Sequence, residues 1–142
     1  MGEKQKTTSN KKENQYGIKI GDIFCMSKLY TTENVHFFQV VELKGKTKIV
    51  IKELELEEVG RNGKIYTVMP SKNNFKKESH FVQDNSVGGT KLVQCYNGNI
   101  YISVSMRYYQ REDGSCDKLY IDKNAYLWDG EPREDDDIIF LE

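Results

Sequence analysis

Apolar positions along this chain recur at every second residue, in short runs cut by Gly, Asn and Asp rather than at the three-and-four spacing of a helix. After an opening at Gly17 to Asp22, Ile23-Phe24-Cys25-Met26 reads as a short buried strand, and Thr31 to Asn34 as a loop. From Val35 to Leu43 the alternation puts Val35, Phe37, Val41 and Leu43 on one face and His36, Phe38, Val40 and Glu42 on the other. Both faces carry apolar groups, as in a strand covered on two sides. Lys44-Gly45-Lys46 then supplies a tight hairpin connection.

The return strand is expected over Thr47 to Glu57. Ile49 and Ile51 share one phase and Leu54 and Leu56 the opposite one, which predicts a bulge or sharp bend near Lys52-Glu53. A helix over Glu53 to Val59, stopped by Gly60, competes, because Glu and Leu favour helix. The period-two alternation from Leu54 to Glu57 favours the strand. Arg61 to Lys64 reads as a turn, Ile65 to Met69 as a strand ended by Pro70, 71–80 as a polar loop, and Val87-Gly88-Gly89 as the next turn.

Asn97-Gly98 is the clearest local signal, since both residues tolerate the positive φ of a two-residue type I′ turn. It joins Lys91–Tyr96 to Asn99–Arg107, where Ile100, Ile102, Val104 and Met106 point one way and Tyr101, Ser103, Ser105 and Arg107 the other. A turn at Glu112 to Ser115 leads to a partner strand over Lys118 to Asp122 with Leu119 and Ile121 inward, and Trp128 reads as a core anchor fixing the C-terminal turn. The fold class expected is mainly β: a single antiparallel small barrel (SH3-like) or a bent sheet with an extra hairpin. Residues 1–15 form a flexible polar arm, 16–132 the β domain, and 133–142 an acidic tail or, through Ile138 to Leu141, a closing strand.

Composition narrows the class. The 142 residues carry a net charge of -1, with 37% hydrophobic and 30% charged residues, enough apolar content for one folded domain. Charge is unevenly placed: residues 1–15 sum to +2, 16–128 to +3, and Asp129 to Glu142 to −6. No run approaches the roughly 18–20 apolar residues of a membrane span, and the polar start shows no secretory signal, so a soluble intracellular protein is expected. Cys25, Cys95 and Cys116 are odd in number and widely spaced, which argues against a disulfide framework or a zinc site. Cys25 and Cys95 read as apolar filler and Cys116 as exposed. The motifs of nucleophile elbows, zincins, P-loops and dinucleotide folds are missing, so no catalytic residue, metal ligand or cofactor is assigned. His36 within Val35-His36-Phe37-Phe38 reads as structural.

Three stretches carry a resemblance: Gly21-Asp22-Ile23-Phe24; Asn34-Val35-His36-Phe37-Phe38-Gln39-Val40-Val41 with Lys44-Gly45-Lys46-Thr47; and Ala125-Tyr126-Leu127-Trp128-Asp129-Gly130. Together they resemble an uncharacterised family of small proteins encoded by phages, prophages and plasmids. Lys28 and Leu29 stand where that family has Trp-Gly, Glu33 replaces Thr, His36 replaces Asp and Phe38 replaces Tyr. The family has no assigned activity, so the resemblance transfers no catalytic residue. It implies a mobile-element product in the cytoplasm of a bacterial host, where short proteins of this origin often bind and inhibit host machinery, CRISPR effectors included.

Three functions follow as expectations. The first is a protein-binding module that engages a host protein or nucleoprotein complex, with Asp135, Asp136 and Asp137 beside Ile138 to Leu141 as a docking end. The second is single-stranded nucleic-acid binding through Tyr101, Arg107, Tyr108, Tyr109 and Tyr120, with Lys91, Arg111 and Lys118 nearby. The third is a small Mg²⁺ enzyme using Asp113, Asp117, Asp122 or Asp129.

Overall fold

The computed structural model of the chain describes residues 13–26, 35–63, 65–106, 109–110, 116–117 and 121–136. Eleven strands form: β1 (Ile23–Met26), β2 (His36–Lys44), β3 (Lys48–Asn62), β4 (Ile65–Phe75), β5 (Gly89–Leu92), β6 (Gln94–Tyr96), β7 (Asn99–Met106), β8 (Tyr109–Gln110), β9 (Cys116–Asp117), β10 (Ile121–Leu127) and β11 (Arg133–Asp136). The described residues contain no helix, and every pairing is antiparallel. Nine strands make one open sheet in the order β11-β4-β3-β2-β1-β10-β7-β6 with β5 against β3, while β8 and β9 form a separate ribbon.

The mainly-β class is therefore correct, and the closed SH3-like barrel is not what forms. β3 is the physical reason. It runs for 15 residues, pairing β2 from Lys48 to Glu53 and β5 from Lys48 to Ile51, then β4 from Leu54 to Asn62. Its far half overshoots the curl of a small barrel and carries the sheet outward to β4 and β11. On the other side the sheet curls back: Val93 alone separates β5, on β3, from β6, on β7, and its amide donates to the Thr47 carbonyl at 2.8 Å. No ladder joins β5 to β7 among the described residues.

The irregularity expected near Lys52-Glu53 falls on one side of β3 only: the β2–β3 register runs evenly through both residues, while the β3–β4 register shifts just beyond them, between Leu54 and Leu56. The change of phase has another cause, namely that both faces of β3 are covered. Ile49 and Ile51 join Phe24, Phe38, Val40, Ile102 and Val104 in one core, whereas Leu54 and Leu56 pack in a second with Ile23, Phe37, Val68 and Trp128. A further irregularity falls on β2, where Val41 is the extra residue between Val40 and Glu42. That bulge turns Leu43 onto the Val40 core, opposite Ile49, rather than onto the Phe37 face.

Other corrections have equally local causes. β4 does not end at Pro70 but continues to Phe75 through the part of the polar segment read as loop. Pro70 sits beside a register break, opposite Leu56, where a missing N–H is tolerated. Beyond it Asn73, at φ 65°, is held by Gln39, whose Nε2 donates to Asn73 Oδ1 at 2.7 Å while Oε1 accepts the Asn73 amide at 2.9 Å. The partner of β7 is β10, which is described from Ile121 and runs on past the expected end at Asp122 to Leu127, with Ala125 opposite Ile102 in the core; Lys118 to Tyr120 lie outside the described residues. Ahead of Tyr16, Glu13 bridges Lys19, and the buried Asn14 side chain accepts the amides of Tyr16 and Ile18. At the other end β11 makes a strand of the first acidic residues, pairing Val68 to Ile65 of β4. Residues 1–12 and 137–142, with the expected arm and the Ile138–Leu141 strand, lie outside the described residues.

The Asn97-Gly98 turn forms as expected, with φ of 52° and 81°, and closes the β6–β7 hairpin at the Tyr96–Asn99 pair. The strand alternative over Glu53 to Val59 also holds, since β3 continues through Gly60 to Asn62. Trp128 anchors the C-terminal turn: its ring meets Phe37 edge-on at 5.5 Å and its Nε1 donates to the Glu131 carbonyl at 2.8 Å.

Candidate functional site

An acid in core phase organises the most elaborate polar cluster. The alternation that buries Ile49 and Ile51 also carries Glu53 inward, and it is only 1% exposed. An unpaired buried carboxylate is prohibitively costly, so the surrounding chain supplies donors. Oε2 takes His36 Nδ1 at 2.6 Å and Lys76 Nζ at 2.9 Å; Oε1 takes the Ser79 hydroxyl at 2.5 Å. Burial pushes the Glu53 carboxyl up, but the His36 hydrogen bond, the nearby positive charge of His36 and Lys76, and the Ser79 hydroxyl outweigh it and hold it at about 2. A carboxylate so stabilised is no proton acceptor at neutral pH. His36 is committed to Glu53 with its ring edge-on to Phe81 at 4.7 Å, in keeping with a structural role.

The cluster clamps the loop 76–88 onto β3. Asn85 completes the clamp, accepting the Glu53 amide at 2.8 Å and donating to the carbonyls of Glu53 and Lys76 at 3.1 and 2.6 Å. Ser79 Oγ caps the next turn by accepting the amides of Phe81 and Val82. Asp84 accepts from Ser86 and, through its carbonyl, from Gly88, which fixes the tip. The Ser86 hydroxyl and amide hold the exposed Asp84 carboxyl below its ordinary value. The outcome is a braced loop with Val87 67% exposed at its tip.

This loop and β5 face β7 across the gap where the sheet fails to close. The space is a cleft of about 930 Å³. Phe81 and Val82 form its apolar floor, Thr90 and Lys91 one wall, Ser105 of β7 the other, and Val87 stands at the rim. Gly88 lets the loop approach so closely: at φ 99° a Cβ there would lie 2.6 Å from Val50 Cγ1 and 3.0 Å from the Ile51 carbonyl.

The sequence-assigned residues scatter. Tyr101 lies half-buried on β7, opposite Tyr126 of β10, with ring centroids 5.6 Å apart. Tyr109 falls in β8 opposite Asp117. Arg107, Tyr108, Tyr120, Arg111, Lys118, Asp113 and Asp137 lie outside the described residues. Asp135 and Asp136 sit on β11, opposite Tyr66 and Ile65, at the far end of the strand order from Tyr101. Asp129 accepts the Glu131 amide and Arg133 Nη1, and these two bonds lower its carboxyl. No group of three His, Cys, Asp or Glu able to hold a metal occurs among the described residues. Cys25 is buried as expected, but Cys95 is exposed, and Cys116 falls in β9 rather than a loop.

Sequence reasoning missed Glu53, Ser79, Asn85 and Tyr126. A signal existed for the first, a charged residue in phase with Ile49 and Ile51 on a strand covered on both faces. The chain matches no protein-family model, no curated protein sequence and no solved structure.

Proposed function

We propose that this chain is a non-enzymatic binding module of phage, prophage or plasmid origin that acts on host machinery in the bacterial cytoplasm, an anti-defence inhibitor of the anti-CRISPR type being its specific form. One observation carries the binding reading. Lys76, Ser79 and Asn85 brace the 76–88 loop against Glu53, and its exposed apolar tip at Val87 stands beside an open cleft. Preorganised loops lose little conformational entropy on binding, and a rigid apolar knob is the kind of anchor that protein partners fill pockets with. The mobile-element origin rests on the Gly21-Asp22-Ile23-Phe24 and Trp128-Asp129-Gly130 resemblance. No helix among the described residues is long and apolar enough to cross a membrane.

Affinity recovery from bacterial host lysate, with and without nuclease, tests this reading. A protein partner that survives nuclease and is lost with Val87→Glu supports it. Recovery of nucleic acid alone, lost steeply as salt rises, overturns it in favour of single-stranded nucleic-acid binding.

A further inference from the structure

We infer that the outward face where the β2–β3 hairpin meets β5 and β6 is a second binding surface, one that takes single-stranded nucleic acid. Lys44 and Lys48 stand directly opposite each other at the hairpin end, with Lys46 in the turn between them, and all three are exposed. None of them has an ion-pair partner among the described residues. Like charges facing each other across a ladder destabilise it, a cost that here concentrates positive charge at one point of the surface. Lys48 also lies opposite Leu92 of β5, which is 51% exposed. Val93 turns into the core, so the period of two carries Gln94 and Tyr96 out on the same side as Leu92. Tyr101 stands opposite Gln94, and Tyr126 opposite Tyr101. Three tyrosines thus share this face with the lysines, Tyr96 at 69% and Tyr126 at 46% exposure.

Charge placement selects the occupant. The net charge of -1 conceals a separation along β3, which begins at Lys48 and ends at Asn62, where Ile65 stands between it and Asp136 of β11. Its 15 residues, at about 3.3 Å each, hold the two ends up to roughly 45 Å apart. The screening length in physiological salt is about 8 Å, so the acids of β11 do not cancel the lysine field. The start of the chain adds to that field. Residues 1–15 hold Lys4, Lys6, Lys11 and Lys12 against Glu3 and Glu13, and they join the fold at the hairpin, where the Gln15 amide donates to the Lys46 carbonyl at 3.1 Å. Glu42 and Asp122 share the outward side but lie further along their strands, opposite Val50 and Ser105, toward the cleft. A polyanion needs cations to displace its counterions, and unpaired bases need exposed rings to stack on; this face offers both. A duplex keeps its bases inside and an acidic peptide has none, so neither uses the tyrosines. The surface does not include Val87, so it stands or falls apart from the protein-binding reading: Val87→Glu should leave it intact.

Fluorescence anisotropy of labelled oligothymidylate and oligouridylate of about 20 nucleotides, titrated with the full chain, decides the matter. The expected dissociation constant for at least one of them is about 1–100 µM near physiological salt, the range of sequence-independent binding, and tighter than for a duplex of equal length. The logarithm of the association constant should fall with that of salt at a slope of about −2 or steeper, since each phosphate contact contributes about 0.7 and the hairpin supplies three lysines. Lys44→Glu gives Lys48 a partner of opposite sign, so the melting temperature should be no lower than the parent's while affinity falls about tenfold or more. Tyr96→Ala should weaken binding about fivefold or more, and Tyr96→Phe should leave it intact. Circular dichroism identical to the parent shows that a variant has folded. Binding of neither oligomer, a duplex or heparin bound as tightly as the single strands, or folded Lys44→Glu and Tyr96→Ala variants that both bind like the parent, overturns the inference.

Discussion

Glu53 and Asn85, 32 positions apart in the chain, bind each other's segment as a base pair would: the Asn85 carboxamide accepts the Glu53 amide at 2.8 Å and donates to the Glu53 carbonyl at 3.1 Å. A side chain thereby extends the β3 edge where no strand lies alongside, and the same amide nitrogen also reaches the Lys76 carbonyl. Asn85 is 2% exposed, so both of its bonds to the Glu53 backbone are shielded from water.

Asn85→Ala should therefore cost about 2–4 kcal/mol, because it strands the Glu53 amide and takes a donor from the Lys76 carbonyl, while the Glu53 carbonyl keeps the Lys76 amide at 3.0 Å. Urea unfolding followed by circular dichroism measures it. A loss below about 0.5 kcal/mol, the scale of an ordinary surface substitution, would show that the loop is not clamped through Asn85.

Glu53 gives the fold an acid dependence of predictable sign. Its carboxyl lies at about 2 when folded against 4.5 ordinarily, so the folded state prefers the ionised form. The stabilisation is present in full above the ordinary value and disappears as pH falls from about 5 toward 2. A difference of this size corresponds to about 3 kcal/mol. Glu53→Gln should unfold more easily than the parent at pH 7, with the gap narrowing below pH 4; a gap that stays constant down to pH 2 contradicts the assignment.

Gly88→Ala should lower the melting temperature markedly. It forces a side chain into a left-handed conformation and drives Cβ to 2.6 Å from Val50 Cγ1 and 3.0 Å from the Ile51 carbonyl oxygen. A cost of about 2 kcal/mol or more is expected, several degrees for a domain of this length. Gly98→Ala, which meets nothing within 4 Å, controls for the conformational part alone.

What could be read from the sequence depended on how local the cause was. Asn97-Gly98 specified its turn because both residues carry the needed positive φ themselves, and the alternation of Ile100, Ile102 and Val104 was legible because only one face of β7 is covered. The path of β3 was not legible. Ile49, Ile51, Leu54 and Leu56 announce a phase change, but whether a bulge or a second core produces it depends on β4, Phe37 and Trp128 arriving from elsewhere in the chain. The polar stretch ending β4 looked like loop because its strand character comes from Gln39, 34 positions away. The clamp at Glu53 was hidden for the same reason, since Ser79 and Asn85 carry no signature until the loop folds onto the acid. Tyr126 escaped notice because the strand expected opposite β7 ended at Asp122, whereas β10 continues to Leu127.

Trp128, the single tryptophan, links the two ends of the second core and reports on it directly. Its amide donates to the Ile23 carbonyl at 2.8 Å, its ring meets Phe37 edge-on, and its indole N–H holds the Glu131 carbonyl before β11 begins. Trp128→Phe keeps an aromatic edge against Phe37 but loses the indole bond, and should cost about 1 kcal/mol. Trp128→Ala removes the packing as well and should cost about 3 kcal/mol. Phe37→Leu, with the tryptophan retained, should red-shift the intrinsic fluorescence as water reaches the indole, while Tyr96→Ser on the opposite side of the strand order should leave the emission unchanged. Equal costs for the two tryptophan variants would mean that the Glu131 bond, not the Phe37 contact, fixes the C-terminal turn.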